Sequence, residues 1–134
     1  MLVHQLGLLP GTADGSSRAN SHIKLVTFAS NNTEVFAKHT LTLNKLFAKH
    51  WGMEFLCFDQ HTEAGRFDME PADRRWNKVG LVLELLSADS PIVGKDEYLV
   101  WMDADLIVLE MNNLDFGAII RAHPRAELIV SAEW

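Results

Sequence analysis

Cysteine is nearly missing from this chain: Cys57 stands alone among 134 residues, beside a single tyrosine and four prolines. A lone cysteine excludes an internal disulfide and a structural zinc site of the cysteine type. Cys57 lies in a β-rich run, MEFLCF, and is expected as a buried core thiol. No run approaches the ~20 consecutive apolar residues that a membrane-spanning helix needs. No long basic block exists either, and 12 Lys and Arg against 18 Asp and Glu leave a net charge of -6. That balance argues against a nucleic-acid partner, because phosphate backbones are held by clustered cations. It leaves room for a nucleotide bridged by a metal ion. Two of the six histidines, His39 and His50, find no partner at metal-ligand spacing. What the chain does have is apolar bulk, 48% of its residues, which is enough for one domain with a core and too much for wholesale disorder.

Residues 1–22 begin with a short apolar stretch that lacks a basic flank or a cleavage signal, then pass into GTADGSSRANSH, and read together as a flexible leader. Residues 23–134 carry the domain. IKLVTF (23–28) reads as the first core strand, followed by a polar turn with Asn32 or Thr33 positioned to cap a helix. Residues 35–50 are helical, with Phe36, Leu41, Leu43, Leu46 and Phe47 as the apolar stripe, and Gly52 ends the helix. MEFLCF (53–58) is the next strand, making a βαβ unit with parallel strands. Residues 59–75 are charged; they form a solvated loop or a flap whose Arg66, Arg74 or Arg75 reaches a phosphate. Trp76, Val79, Leu83 and Leu86 recur at helical spacing to about Ser87, with Lys78 off the stripe. Lys78 is either a plain surface lysine or a cation meeting a diphosphate near the start of this helix.

The segment that organises the rest is YLVWMDADLIVL (98–109). An apolar run of this kind reads as a buried parallel strand, and Asp103 and Asp105 then fall at its carboxyl end, where open α/β sheets bind ligands. Leu106 to Leu109 read as a second short strand, Asn112 and Asn113 as a turn, residues 114–120 as a helical turn or two, and 128–130 as the core of a last strand. The order predicts an α/β layered fold with a mostly parallel sheet flanked by helices. The chain stops just after that strand, so the domain is expected to be one part of a longer one.

Acids beside so much apolar surface need compensation from a cation or hydrogen bonds. Two chemistries suit the pair. Both carboxylates can hold Mn²⁺ or Mg²⁺ against the diphosphate of a nucleotide sugar, the ion acting as a Lewis acid. Alternatively, Asp103 attacks a phosphoryl group and Asp105 serves as acid and base, as in the Mg²⁺-dependent haloacid-dehalogenase-like phosphohydrolases. Against the second, Ile107 occupies the place of the usual Thr or Val, and a whole βαβ unit precedes the motif. A non-catalytic α/β remnant is the third reading.

KLVTFASNN, then RWNK opening a helix, then YLVWMDADLIVLEMN, then LIVSAEW together resemble the galactosyl/mannosyl-transferase family of Golgi glycosyltransferases over residues 23–133. The resemblance implies a GT-A-like (Rossmann-like) nucleotide-sugar transferase fold and a manganese-dependent enzyme. That enzyme would move a hexosyl or pentosyl unit to a glycan acceptor with retention of configuration. By its place at the same sheet edge, the loop after the first strand already offers Thr27, Ala29 and Asn31 to a base or ribose. The resemblance implies Thr27, Phe28 and Ala29 at the nucleotide, Lys78 near its phosphates, Asp103 at ribose or metal and Asp105 as the main metal ligand of a DXD motif. Val108, Glu110, Met111 and Asn112 would lead toward the acceptor. It also implies a lumenal Golgi membrane location through an N-terminal anchor that these residues do not show. Catalytic residues are expected in a C-terminal half beyond them.

Overall fold

Three β-rich runs build a parallel ladder, and a fourth segment joins it from an unexpected place. In the computed structural model, the residues described are 2–5, 20–29, 34–59, 76–109 and 111–130. The elements are β1 (Leu2–Gln5), β2 (Ile23–Ala29), α1 (Glu34–His50), β3 (Glu54–Asp59), α2 (Asn77–Leu85), β4 (Tyr98–Trp101), α3 (Phe116–Ala122) and β5 (Leu128–Val130). The sheet order is β3-β2-β4-β1-β5. Strand β2 pairs in parallel with β3 on one side and with β4 on the other. The result is a mixed α/β fold whose parallel three-stranded core is flanked by helices.

The strand order carries the functional geometry. From β2 the chain steps outward to β3, then returns across β2 to β4. The direction of winding reverses between β2 and β4, and a crevice opens at such a switch point outside the carboxyl ends of the strands. The register Val26↔Trp101, continued by the Met102 amide donating to the Val26 carbonyl at 2.9 Å, sets Asp103 beside the end of β2.

Alternation along the strands feeds two cores. Ile23, Leu25, Tyr98 and Val100 face α1 and α3, where Phe47, Ala48, Phe116 and Ile120 meet them. Phe47 and Phe116 pack edge to face with centroids 5.8 Å apart. Val26, Phe58, Leu99 and Trp101 face the other way and pack with Leu81 and Leu85 of α2. Helix α1 ends in a Schellman arrangement: Gly52 takes φ 70°, its amide donates to Lys49, and the Met53 amide donates to Ala48. Asp115 caps α3 by accepting from the Ala118 amide at 3.0 Å.

Several expectations are corrected. Leu2–Gln5 is not part of a loose leader: it forms β1, antiparallel to both β4 and β5, so the sheet is parallel only across β3, β2 and β4. Asn20, also assigned to the leader, is buried and donates to the Trp51 carbonyl. Leu106 to Leu109 form no strand; β4 already has β2 and β1 as neighbours, and Leu106, Ile107 and Leu109 are exposed. Cys57 is exposed because β3 is an edge strand, although its ladder partner Thr27 is fully buried. Among the described side chains of α1 the buried positions are Ala37, Asn44, Phe47 and Ala48, while Leu43 and Leu46 are exposed; the Phe36 side chain lies outside the described residues. On α2 the buried face is Asn77, Leu81 and Leu85, not the expected stripe, with Trp76 63% and Leu83 65% exposed. That helix is apolar on more than one side, and only the position of the sheet selects between faces. The membrane association implied by resemblance is not supported: no helix among the described residues is long and apolar enough to cross a bilayer.

Candidate functional site

Strand β4 enters the core as four buried residues and then turns sharply. Asp103 accepts the Leu106 amide on its carbonyl at 3.0 Å, which folds Asp103-Ala104-Asp105-Leu106 into a tight turn. The turn lies at the carboxyl end of the central strand, outside the switch point.

Asp103 is half-buried and its Oδ1 has two partners. The indole Nε1 of Trp101 donates to it at 2.9 Å. The ammonium of Lys78 lies 3.5 Å away in an ion pair. Lys78 sits in the first turn of α2, where the helix dipole disfavours a cation, and no acid stands in that turn to offset it. Asp103 supplies the compensating charge from the neighbouring strand. A charge-assisted indole bond and a lysine thus fix one carboxylate oxygen, and the other oxygen faces no described partner.

Beside this pair runs an open groove of about 350 Å³ lined by Lys78, Val79, Val82, Leu83, Trp101, Asp103 and Val130. Helix α2 supplies four of these residues, and β4, the turn after it and β5 supply Trp101, Asp103 and Val130. Val79 and Leu83, two members of the expected stripe, therefore join Val82 as one wall of a cleft instead of facing the core.

The structure brings together two of the residues singled out from sequence, Lys78 and Asp103. The others stand apart from them. Asp105, two residues further along the same turn, is exposed rather than buried. Thr27 is fully buried on the α1 side, with its hydroxyl unpartnered, and does not line the groove. Phe28 packs half-buried on the α2 side and Ala29 is half-buried at the end of β2. Asn31, Glu110 and the loop arginines Arg66, Arg74 and Arg75 lie outside the described residues. Met111 accepts the Trp51 indole N–H on its carbonyl at 2.7 Å, so its backbone serves the fold.

Three residues escaped the sequence reading. Trp101 looked like core and is also the donor to Asp103. Thr40 and Asn44, both on α1, bond the turn from beneath: Thr40 donates to the Ala104 carbonyl at 2.5 Å and Asn44 to the Leu106 carbonyl at 2.8 Å. The available signal was a pair of hydrogen-bonding residues four apart within a helix that buries one face.

Among the described residues, no group of three or more His, Cys, Asp or Glu side chains is placed to hold a metal ion. The manganese-binding role that the resemblance implied for the DXD motif therefore finds no support among the described residues. The motif's carboxylates still fit a hard divalent cation of the kind that binds through one or two protein carboxylates and completes its shell with phosphate and water. No family model, no curated protein and no solved structure matches the chain.

Proposed function

We propose that this chain is the donor-binding module of a glycosyltransferase with a GT-A-like fold, taking a nucleoside diphosphate sugar with Mn²⁺ or Mg²⁺ and serving transfer to a glycan acceptor. The observation that carries the reading is the Lys78–Asp103 pair, with its 3.5 Å contact, at the carboxyl end of the central parallel strand. Cation and carboxylate there meet both halves of a metal–diphosphate.

Lys78 contributes positive charge at the N-terminal end of α2, and both that end and the ammonium favour phosphate oxygens. Asp103 keeps one oxygen tied to Trp101 and offers the other outward. Asp105, exposed on the same turn, offers a second carboxylate without paying a burial penalty. A divalent ion held there supplies Lewis-acid neutralisation of the leaving diphosphate. The chain's own residues orient the donor: the turn carries the carboxylates, Lys78 stands beside Asp103, and Val79, Val82 and Leu83 offer an apolar surface on one side.

Titration calorimetry tests the proposal with the full chain. Uridine or guanosine diphosphate binds in the presence of Mn²⁺, binding vanishes without metal, and Asp105→Ala removes it. Release of phosphate from a generic phosphomonoester, lost in Asp103→Asn, points instead to a phosphohydrolase. Neither signal leaves a non-catalytic domain.

A further inference from the structure

Asn44 poses a physical problem. It is fully buried on the core-facing side of α1, and its Oδ1 has no hydrogen-bond partner. A buried acceptor left unsatisfied keeps its full desolvation cost, so an apolar side chain would serve α1 better if packing were the only demand. What the amide does provide is one bond, from Nδ2 to the Leu106 carbonyl at 2.8 Å. One helical turn earlier, Thr40 aims its hydroxyl at the Ala104 carbonyl. Its hydroxyl also lies 3.1 Å from the Ala37 carbonyl of its own helix, so one proton is shared between a local acceptor and a distant one.

The two acceptors bracket Asp105 in the chain, at Ala104 and Leu106. Together with the Leu106 amide bond to the Asp103 carbonyl, they hold the turn's backbone at successive points. Ala104 is buried against this clamp, and Asp105 is exposed. With both flanking carbonyls drawn toward α1, the Asp105 peptide has little freedom to rotate. A loop after β4 would otherwise depend on exposed apolar residues, Leu106 and Ile107, that anchor little.

We propose that Thr40 and Asn44 are positioning residues that clamp the Asp103–Leu106 turn from α1 and so hold the two carboxylates in the geometry that receives a metal–diphosphate. The inference rests on the donor-site reading for its ligand, but the clamp itself is a property of the turn. Residues that orient ligand-bearing groups tune affinity without touching the ligand. A packing role alone would show as lost stability with unchanged affinity per folded molecule.

The test uses the full chain and two readouts: affinity for Mn²⁺ with uridine diphosphate, and hydrogen exchange at the Leu106 amide. Thr40→Val keeps the shape and loses the hydroxyl; Thr40→Ser keeps the hydroxyl. Thr40→Val and Asn44→Leu each weaken Mn²⁺–uridine diphosphate binding about tenfold and speed exchange at Leu106, while Thr40→Ser behaves as wild type on both counts. If Asn44→Leu fails to fold, the Thr40 pair decides alone. Wild-type affinity and wild-type Leu106 protection in Thr40→Val overturn the proposal. Absence of Mn²⁺–uridine diphosphate binding in the wild type sinks the donor-site reading instead. Leu106 exchange then judges the clamp alone: faster exchange in Thr40→Val upholds it, and unchanged exchange overturns it.

Discussion

The indole nitrogen of Trp101 holds the Asp103 carboxylate at 2.9 Å, two residues further along the same chain. A strand that simply continued would put these side chains on the same face; here the turn brings one down to meet the other. Trp101 is buried in the α2-side core, so the bond ties the site to the packing beneath it.

Trp101→Phe preserves most of the buried ring and removes the donor. Because Asp103 is half-exposed, water replaces part of the lost bond, and the expected destabilisation is about 1 kcal/mol, read by urea denaturation. Metal–diphosphate affinity falls as well, since Asp103 is freed to move. Unchanged stability and affinity together would mean the indole contact is incidental.

Gly117 gives a sharper packing test. A Cβ built there lies 2.2 Å from Asn20 Oδ1, and Asn20 is held in place by its bond to the Trp51 carbonyl. Gly117→Ala is expected to destabilise by about 1–3 kcal/mol through overpacking. Adding Asn20→Ala relieves the clash, so the double variant is more stable than additivity of the two single changes allows. Strict additivity in thermal unfolding would place Asn20 away from α3.

Histidine 22 supplies the pH dependence. Burial, then the nearby Arg121 charge, lower its pKa below the ordinary 6.5, and Glu97 opposes them only in part. The unfolded chain therefore takes up the proton first as pH falls. The His22 contribution is fully present above about 6.5 and is lost as pH drops from there through the lowered folded value. Melting curves between pH 7.5 and 5 show a decline that His22→Gln flattens; an identical decline in both proteins assigns the effect elsewhere.

What the residues announced and what they hid have distinct physical causes. IKLVTF, the helix to His50, its Gly52 cap, MEFLCF, YLVW, the helical turns near 114–120 and the strand at Leu128 were legible because each carries a local signal of period or capping. Strand β1 was not: four residues, LVHQ, gain their place only by pairing with β4 and β5, more than ninety positions away. The buried face of α2 was hidden because Val79, Leu81, Val82, Leu83 and Leu85 offer two stripes. Residues 106–109 looked like a strand from apolarity alone, yet a strand needs a free neighbour, and β4 had none to give. At the site, Asp103 and Lys78 were legible as charges near a strand end and a helix start. Their partnership with Trp101, and the support from Thr40 and Asn44, depended on which elements stack, which no local pattern encodes.

The most direct measurement of the central claim is paramagnetic broadening of the tryptophan indole N–H signals by Mn²⁺ in the presence of uridine diphosphate. The Trp101 indole is bonded to the proposed ligand Asp103, whereas the Trp51 indole donates to Met111, and Trp51 follows Thr40 by eleven residues, roughly 16 Å along a helix. Loss of the Trp101 signal with the Trp51 signal retained, and restoration of Trp101 in a protein carrying both Asp103→Asn and Asp105→Ala, is the predicted result. Equal broadening of both indoles, or none at all, contradicts a metal–diphosphate site at this turn.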